Sequence, residues 1–214
     1  MRTIHKLEEP DSFKQWKSPG QKYQDLAGNR PVYEEVVSSL EKEQGGICCY
    51  CENELRKDSQ HIEHLKPRSK FPNLDLEYSN LLLSCGNPQN SNPDPRCGVK
   101  KDDWYDVKLF VPPLDPNSEK KFTYTQDGRV EPASSLDLAA EQTIEVLNLN
   151  QKKLRETRKQ LLFSILQIHP NQEMSAEVLE SEEINHFVLD YLKPDPEGRL
   201  KKFPSALRSV FLGD

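Results

Sequence analysis

His61-Ile62-Glu63-His64-Leu65-Lys66-Pro67 reads as a strand that Pro67 ends, because proline has no N–H to give to a ladder. Arg68, Ser69 and Lys70 follow, then a polar loop with Pro72. Tyr78-Ser79-Asn80 leads into the apolar run Leu81-Leu82-Leu83, and Ser84-Cys85 closes it. Two apolar runs with polar groups massed between them suggest a small site carried on strands.

Breaking a phosphodiester requires a base for water, neutralised phosphate charge and an in-line arrangement. Imidazole titrates near neutral pH, so His64 is the candidate base. Glu63 offers a hard oxygen suited to Mg²⁺ or Mn²⁺. Asn80 can hydrogen-bond backbone across the turn and fix the histidine's loop. Lys66 and Arg68, and further on Lys100 and Lys101, are candidate phosphate contacts.

Cys48 and Cys51 are spaced as adjacent corners of a tetrahedral metal site, and Cys85 and Cys97 supply a second, wider pair. Gly45-Gly46 just ahead fits a knuckle where the backbone turns sharply. A structural zinc on Cys48, Cys51, Cys85 and Cys97 is expected, with Cys49 the odd one out. The alternatives are a Cys49–Cys51 pairing, a redox dithiol, for which the flanks lack a strand-then-helix context, and plain buried thiols.

These residues resemble the HNH endonuclease family: a Glu-His pair, a short basic loop with proline, an Asn before an apolar run, and cysteines around a helix. The wording HIEH, PRS, NLLLSC and RCGVKK is most similar to the PtuB-like HNH subunit of Septu-type and retron-linked antiphage systems. The resemblance implies a ββα-metal core, divalent-metal catalysis, a nucleic-acid target, and a PtuA-like ABC-type ATPase as partner. DNA ranks ahead of RNA as the target. One position departs from the pattern. Gly98 stands where many members carry a metal-binding His or Asn. The missing ligand could then come from Asn87, Asn90, Asn92, Asp102, His61 or water.

Around this core, Pro31 opens a helix with Val32, Val36, Val37 and Leu40 as its stripe and Gly45-Gly46 as its end. Residues 106–111 and 122–131 read as short strands, with Gln126-Asp127-Gly128 a hairpin turn signal. After residue 134 helices take over. Leu147, Leu154, Leu161, Ile165 and Ile168 repeat at helical spacing, with Asn150 as an N-cap. Ser175 or Ser181 caps a further helix bearing Ile184, Phe187, Val188 and Tyr191, and a last helix spans 205–212. The fold expected is α+β: an N-terminal helical segment (1–45), a zinc-clamped core with short strands (46–133) and a C-terminal helical subdomain (134–214).

The chain has 214 residues and a net charge of −6, unpromising for a nucleic-acid binder. Its distribution says more. Residues 56–70 carry five Lys/Arg against Asp58 and Glu63, whereas 170–199 carry eight acids against Lys193 and Arg199. The acidic helices, about residues 137–192, are therefore expected to bind protein and not nucleic acid. No apolar run approaches the roughly 18 residues that span a membrane, and residues 1–14 lack an apolar signal core, which gives a cytoplasmic reading. His5, His169 and His186 carry no functional signal. Two rival functions remain: a zinc-stabilised nucleic-acid-binding adaptor that does not cut, and a partner subunit silent until assembly.

Overall fold

The computed structural model describes residues 1–166 and 182–213. Helices α1 (Asp11–Trp16), α2 (Tyr23–Leu26) and α3 (Arg30–Gln44) come first. In α3 the Asn29 side chain accepts from Val32 N, Pro31 sits in the first turn, and Gly45 closes the helix at φ 63°. Val32, Val36 and Leu40 are buried along one face, as the spacing predicts.

Strands β1 (Gln60–His64) and β2 (Leu81–Cys85) pair antiparallel, His61 opposite Ser84, Glu63 opposite Leu82 and His64 opposite Leu81. Every residue of β2 is buried, because α3 and the short helix α4 (Cys97–Lys101) both pack on it. Gly98 N donates to Ser84 Oγ at 2.9 Å, which sets α4 against the hairpin. A second antiparallel pair joins β3 (Phe122–Tyr124) to β4 (Val130–Pro132). At the turn between them, Gly128 has φ 79°, and a Cβ there would lie 2.3 Å from Arg155 O. Only glycine fits that approach.

Helices α5 (Leu138–Val146) and α6 (Lys152–Ile165) follow, then Glu182–Tyr191 and Pro204–Leu207, the last running into a π-turn at Arg208–Leu212. Buried residues from first to last helix share a core, among them Phe13, Leu40, Leu83, Val130, Leu162 and Leu207. The molecule is α+β, with small antiparallel sheets among helices.

Three expectations fail for local reasons. Residues 106–111 are not a strand: Asp106 Oδ1 accepts from Lys108 N (2.7 Å) and Leu109 N (3.0 Å) and bends the chain into a turn. Asn150 does not cap α6. Its amide pairs instead with both backbone groups of Val130, at 2.9 Å each, and Gln151 stands at the N-cap without a side-chain cap. The leucine stripe is broken between Leu147 and Leu154, where Asn148 adopts φ 49° and separates α5 from α6. Ile168, His169, Ser175 and Ser181 lie outside the described residues.

Candidate active site and metal centre

The knuckle is built by backbone. Cys48 N donates to Asn53 O and Glu52 N to Cys48 O, while Glu52 takes φ 60° to complete the turn. Cys85 ends β2 and Cys97 opens α4, so the hairpin and helix deliver the second pair to the first. The thiols of Cys48, Cys51, Cys85 and Cys97 are all buried, and their sulfurs lie within 4.8 Å of one another. Cys51 Sγ and Cys85 Sγ are 3.7 Å apart. Zn–S bonds of ~2.3 Å in a tetrahedron put sulfurs ~3.8 Å apart, so these residues fit. The cluster could hold a metal such as zinc. Cys49 is buried but outside the group, and the five cysteines form no disulfide. Burial alone would raise the Cys48 thiol. Hydrogen bonds from its cysteine neighbours outweigh that and pull it well below the usual range, while burial pushes Cys97 up.

Beside this centre lies an open cleft of about 750 Å³, lined by His61, Glu63, His64, Arg68, Gly98 and Asp102 among others. His64 Nε2 donates to Asp75 O at 2.9 Å. A carbonyl can only accept, so Nε2 carries the proton and Nδ1 is the basic nitrogen. Burial lowers the His64 pKa, and the nearby Arg68 adds to this against the Asp75 contact, so the ring stays neutral at neutral pH. Tyr23 braces the ring edge-to-face at 4.7 Å. Tyr23 N is bound by Asp75 Oδ2 at 2.8 Å, and the Arg68 guanidinium lies 4.7 Å over the Tyr23 ring.

Asn80 does what its position suggested. Its Oδ1 accepts from Lys66 N (2.8 Å) and its Nδ2 donates to Lys66 O (3.0 Å) and Leu74 O (3.2 Å), which ties down the loop after His64.

Glu63 is 6% exposed, yet it is a carboxylate. Burial pushes its pKa up, but the His61 ring and the Lys101 ammonium outweigh burial and hold it below the usual range. Lys101 Nζ sits 2.8 Å from Glu63 Oε1, and Tyr50 OH donates to the same oxygen at 3.0 Å. His61 Nε2 is 3.4 Å from the other oxygen, Oε2. His61 Nδ1 meets Gly86 O at 2.8 Å. Burial would lower the His61 pKa, but its contacts to Glu63 and Gly86 leave it raised.

Lys101 is a correction. Expected to face phosphates, it is 2% exposed, with its ammonium on Glu63 and on His64 O at 3.2 Å. Lys100 is exposed, Arg68 lines the cleft, and Lys66 Nζ lies 5.8 Å from the Phe71 ring centroid. Of the ligands weighed in place of Gly98, His61 and Asp102 line the cleft with Glu63, whereas Asn87, Asn90 and Asn92 line a separate recess beside Cys85 and Arg96. Sequence reasoning missed Tyr23, Tyr50 and Asp75. Tyr50, placed between Cys49 and Cys51, offered a positional hint. Asp75 acts on His64 through its carbonyl, which no residue type announces.

Against known proteins, a chain with this hairpin and cysteine cluster is similar to HNH endonucleases. It is 29% identical over 169 residues to the Vibrio cholerae serotype O1 biovar El Tor protein named "Retron Vc95 putative HNH endonuclease", covering 73% of this chain and 78% of that one. It is 27% identical over 173 residues to the Escherichia coli "Retron Ec83 putative HNH endonuclease", covering 62% of this chain and 66% of that one. It is 34% identical over 110 residues to "Septu protein PtuB" of Bacillus thuringiensis, 49% of this chain but 37% of that protein's length. These relatives bear out the resemblance to HNH endonucleases and to PtuB. No family model matches the chain. Among the described residues no helix is long and apolar enough to cross a membrane.

Proposed function

We propose that this chain is a metal-dependent HNH endonuclease with a ββα-metal core formed by β1, β2 and α4. One observation carries the reading. His64 is held with Nε2 on a backbone carbonyl and Nδ1 basic, beside an ionised Glu63, in a cleft that also holds Arg68. His64 Nδ1 takes the proton from the water that attacks phosphorus. Asn80 keeps the His64 loop in register, and Arg68, Lys66 and Lys100 hold phosphate oxygens. Glu63 would hold a Mg²⁺ or Mn²⁺ ion, whose chemistry is to stabilise charge on the phosphate and the leaving oxygen. Cys48, Cys51, Cys85 and Cys97 would hold a structural zinc that keeps the hairpin and α4 together.

The relatives' names support a place as effector subunit of an antiphage defence system. The partner proposed is a PtuA-like ABC-type ATPase in the cytoplasm, with DNA ahead of RNA as target. Glu182, Glu183 and Asp190 flank the 54%-exposed Phe187, a surface suited to protein and not to phosphates.

The test is nicking of plasmid and of structured RNA by the purified chain, with and without the ATPase, across Mg²⁺, Mn²⁺ and chelator. Metal-dependent cleavage that disappears in His64→Ala is expected. Nucleic-acid binding without cleavage under every condition would favour the non-cutting adaptor.

A further inference from the structure

Glycine at position 98 is not explained by backbone conformation. Gly98 is absent from the left-handed glycines and sits inside a helix, where glycine costs about 1 kcal/mol relative to alanine. Space explains it. A Cβ on Gly98 would lie 2.4 Å from Glu63 Oε2 and 2.7 Å from His61 Nε2, closer than side-chain atoms approach. Two electron-rich atoms from β1 thus converge on the one helix position without a side chain.

We propose that His61 Nε2 and Glu63 Oε2 form a two-donor seat for a divalent cation, both supplied by β1, and that Gly98 is bare so that they can meet. The inference rests on reading the cleft as a metal-dependent nuclease site, and it names the ligand that α4 does not provide. Residues two apart on a strand face the same side, so His61 and Glu63 need no loop to bring them together. The His61 ring is oriented by Nδ1 donating to Gly86 O, which leaves the Nε2 lone pair toward Glu63. A metal-binding histidine ordinarily gives its other N–H to such a carbonyl. The Glu63 carboxylate is oriented as firmly. Tyr50 OH and Lys101 Nζ occupy Oε1, so Oε2 is the oxygen left for the seat, 3.4 Å from His61 Nε2. Tyr50 belongs to the cysteine knuckle, which makes the clamp a positioning element for this oxygen. One imidazole nitrogen with carboxylate oxygen, and Asp102 lining the same cleft, is a donor set that accepts Mn²⁺.

The experiment titrates the zinc-loaded full chain with Mn²⁺ alone and follows the electron paramagnetic resonance signal of free Mn²⁺. His61→Ala and Gly98→Ala should each weaken Mn²⁺ binding at least ~10-fold, the scale for losing a metal-site residue or its support. Zinc content and the unfolding midpoint should stay at wild-type values. Alanine is the better helix former, so Gly98→Ala separates a blocked seat from a damaged fold. Should that variant fail to fold, His61→Ala decides alone, because its side chain is partly exposed in the cleft. Binding by His61→Ala within twofold of wild type would overturn the seat and leave His61–Glu63 an ordinary ion pair. Glu63→Gln binding Mn²⁺ as tightly as wild type would remove the metal-dependent reading beneath it, whatever His61 does.

Discussion

The cysteine cluster and the cleft lie side by side and are built on opposite terms. In the cluster four like donors are packed dry, their sulfurs within 4.8 Å, and no polar side chain competes for them. In the cleft unlike groups line a cavity of about 750 Å³ and each is held by a different neighbour: His64 by a carbonyl, Glu63 by a phenol and an ammonium, His61 by another carbonyl. The first arrangement leaves no position for a substrate. The second leaves one nitrogen and one carboxylate oxygen uncommitted. That difference separates closed structural metal sites from open catalytic ones. It also shows that the hairpin serves both, with Cys85 at one end of the sheet and His64 at the other.

The largest effect should come from breaking the closed side. Structural zinc is worth roughly 10–16 kcal/mol of apparent binding free energy, against a net stability of about 5–15 kcal/mol for most domains. Cys51→Ser should therefore lose folded protein together with metal, measured by elemental analysis and circular dichroism. A wild-type protein that is fully folded without zinc would remove the clamp from the account.

The next tests the seam between the regions. Lys101→Met keeps the aliphatic stem but leaves the Glu63 carboxylate buried without its ammonium. Removing one partner of a buried ion pair costs about 3–5 kcal/mol, readable in urea denaturation. A loss below ~1 kcal/mol would mean that the pair does not hold α4 to β1.

On the open side, His64→Ala should leave fold and zinc intact and lower cleavage at least ~10²-fold. Its pH dependence has a definite sign. Burial holds the His64 pKa below its ordinary value of 6.5, and the base works only when neutral. The acid limb of kcat/KM should therefore fall below pH 6.5, with a plateau above. A midpoint on the alkaline side of 6.5 would assign the base to another group.

The smallest effect concerns the loop that joins the two strands. Asn80→Ala strands Lys66 N and two backbone carbonyls, at about 1–3 kcal/mol for buried groups left unpaired. Cleavage should drop while zinc content holds. Unchanged stability would show that water replaces the amide.

Much of this was readable in advance wherever a residue type acts through its own chemistry. Pro31 and Gly45 mark the ends of α3, the two strands follow their apolar runs, and the four cysteines meet as their spacing suggests. Asn80 also declares itself, because an amide before an apolar run has few other uses. What the sequence hides is charge turned inward and help given through backbone. Lys101 sits among cations and looks like surface, but a buried carboxylate needs it. Asp75 contributes a carbonyl to His64, and any residue owns one. Asn150 and Asp106 were misplaced because short polar side chains satisfy whichever backbone comes nearest.

The knuckle's cover has a further consequence, in time. Residues far along the chain close over Gly45 and Glu52: Leu200 N binds Gly45 O at 2.8 Å, Phe203 N binds Glu52 O at 2.9 Å, and Ser205 N binds the Glu52 carboxylate at 2.9 Å. All four cysteines have been synthesised by residue 97, but Ser205 follows more than a hundred residues later. At roughly 5–20 residues per second that interval is on the order of 5–20 s. A nascent chain thus presents a complete set of thiols well before its lid exists, so capture of zinc from the cell, and any competing oxidation, falls within that interval.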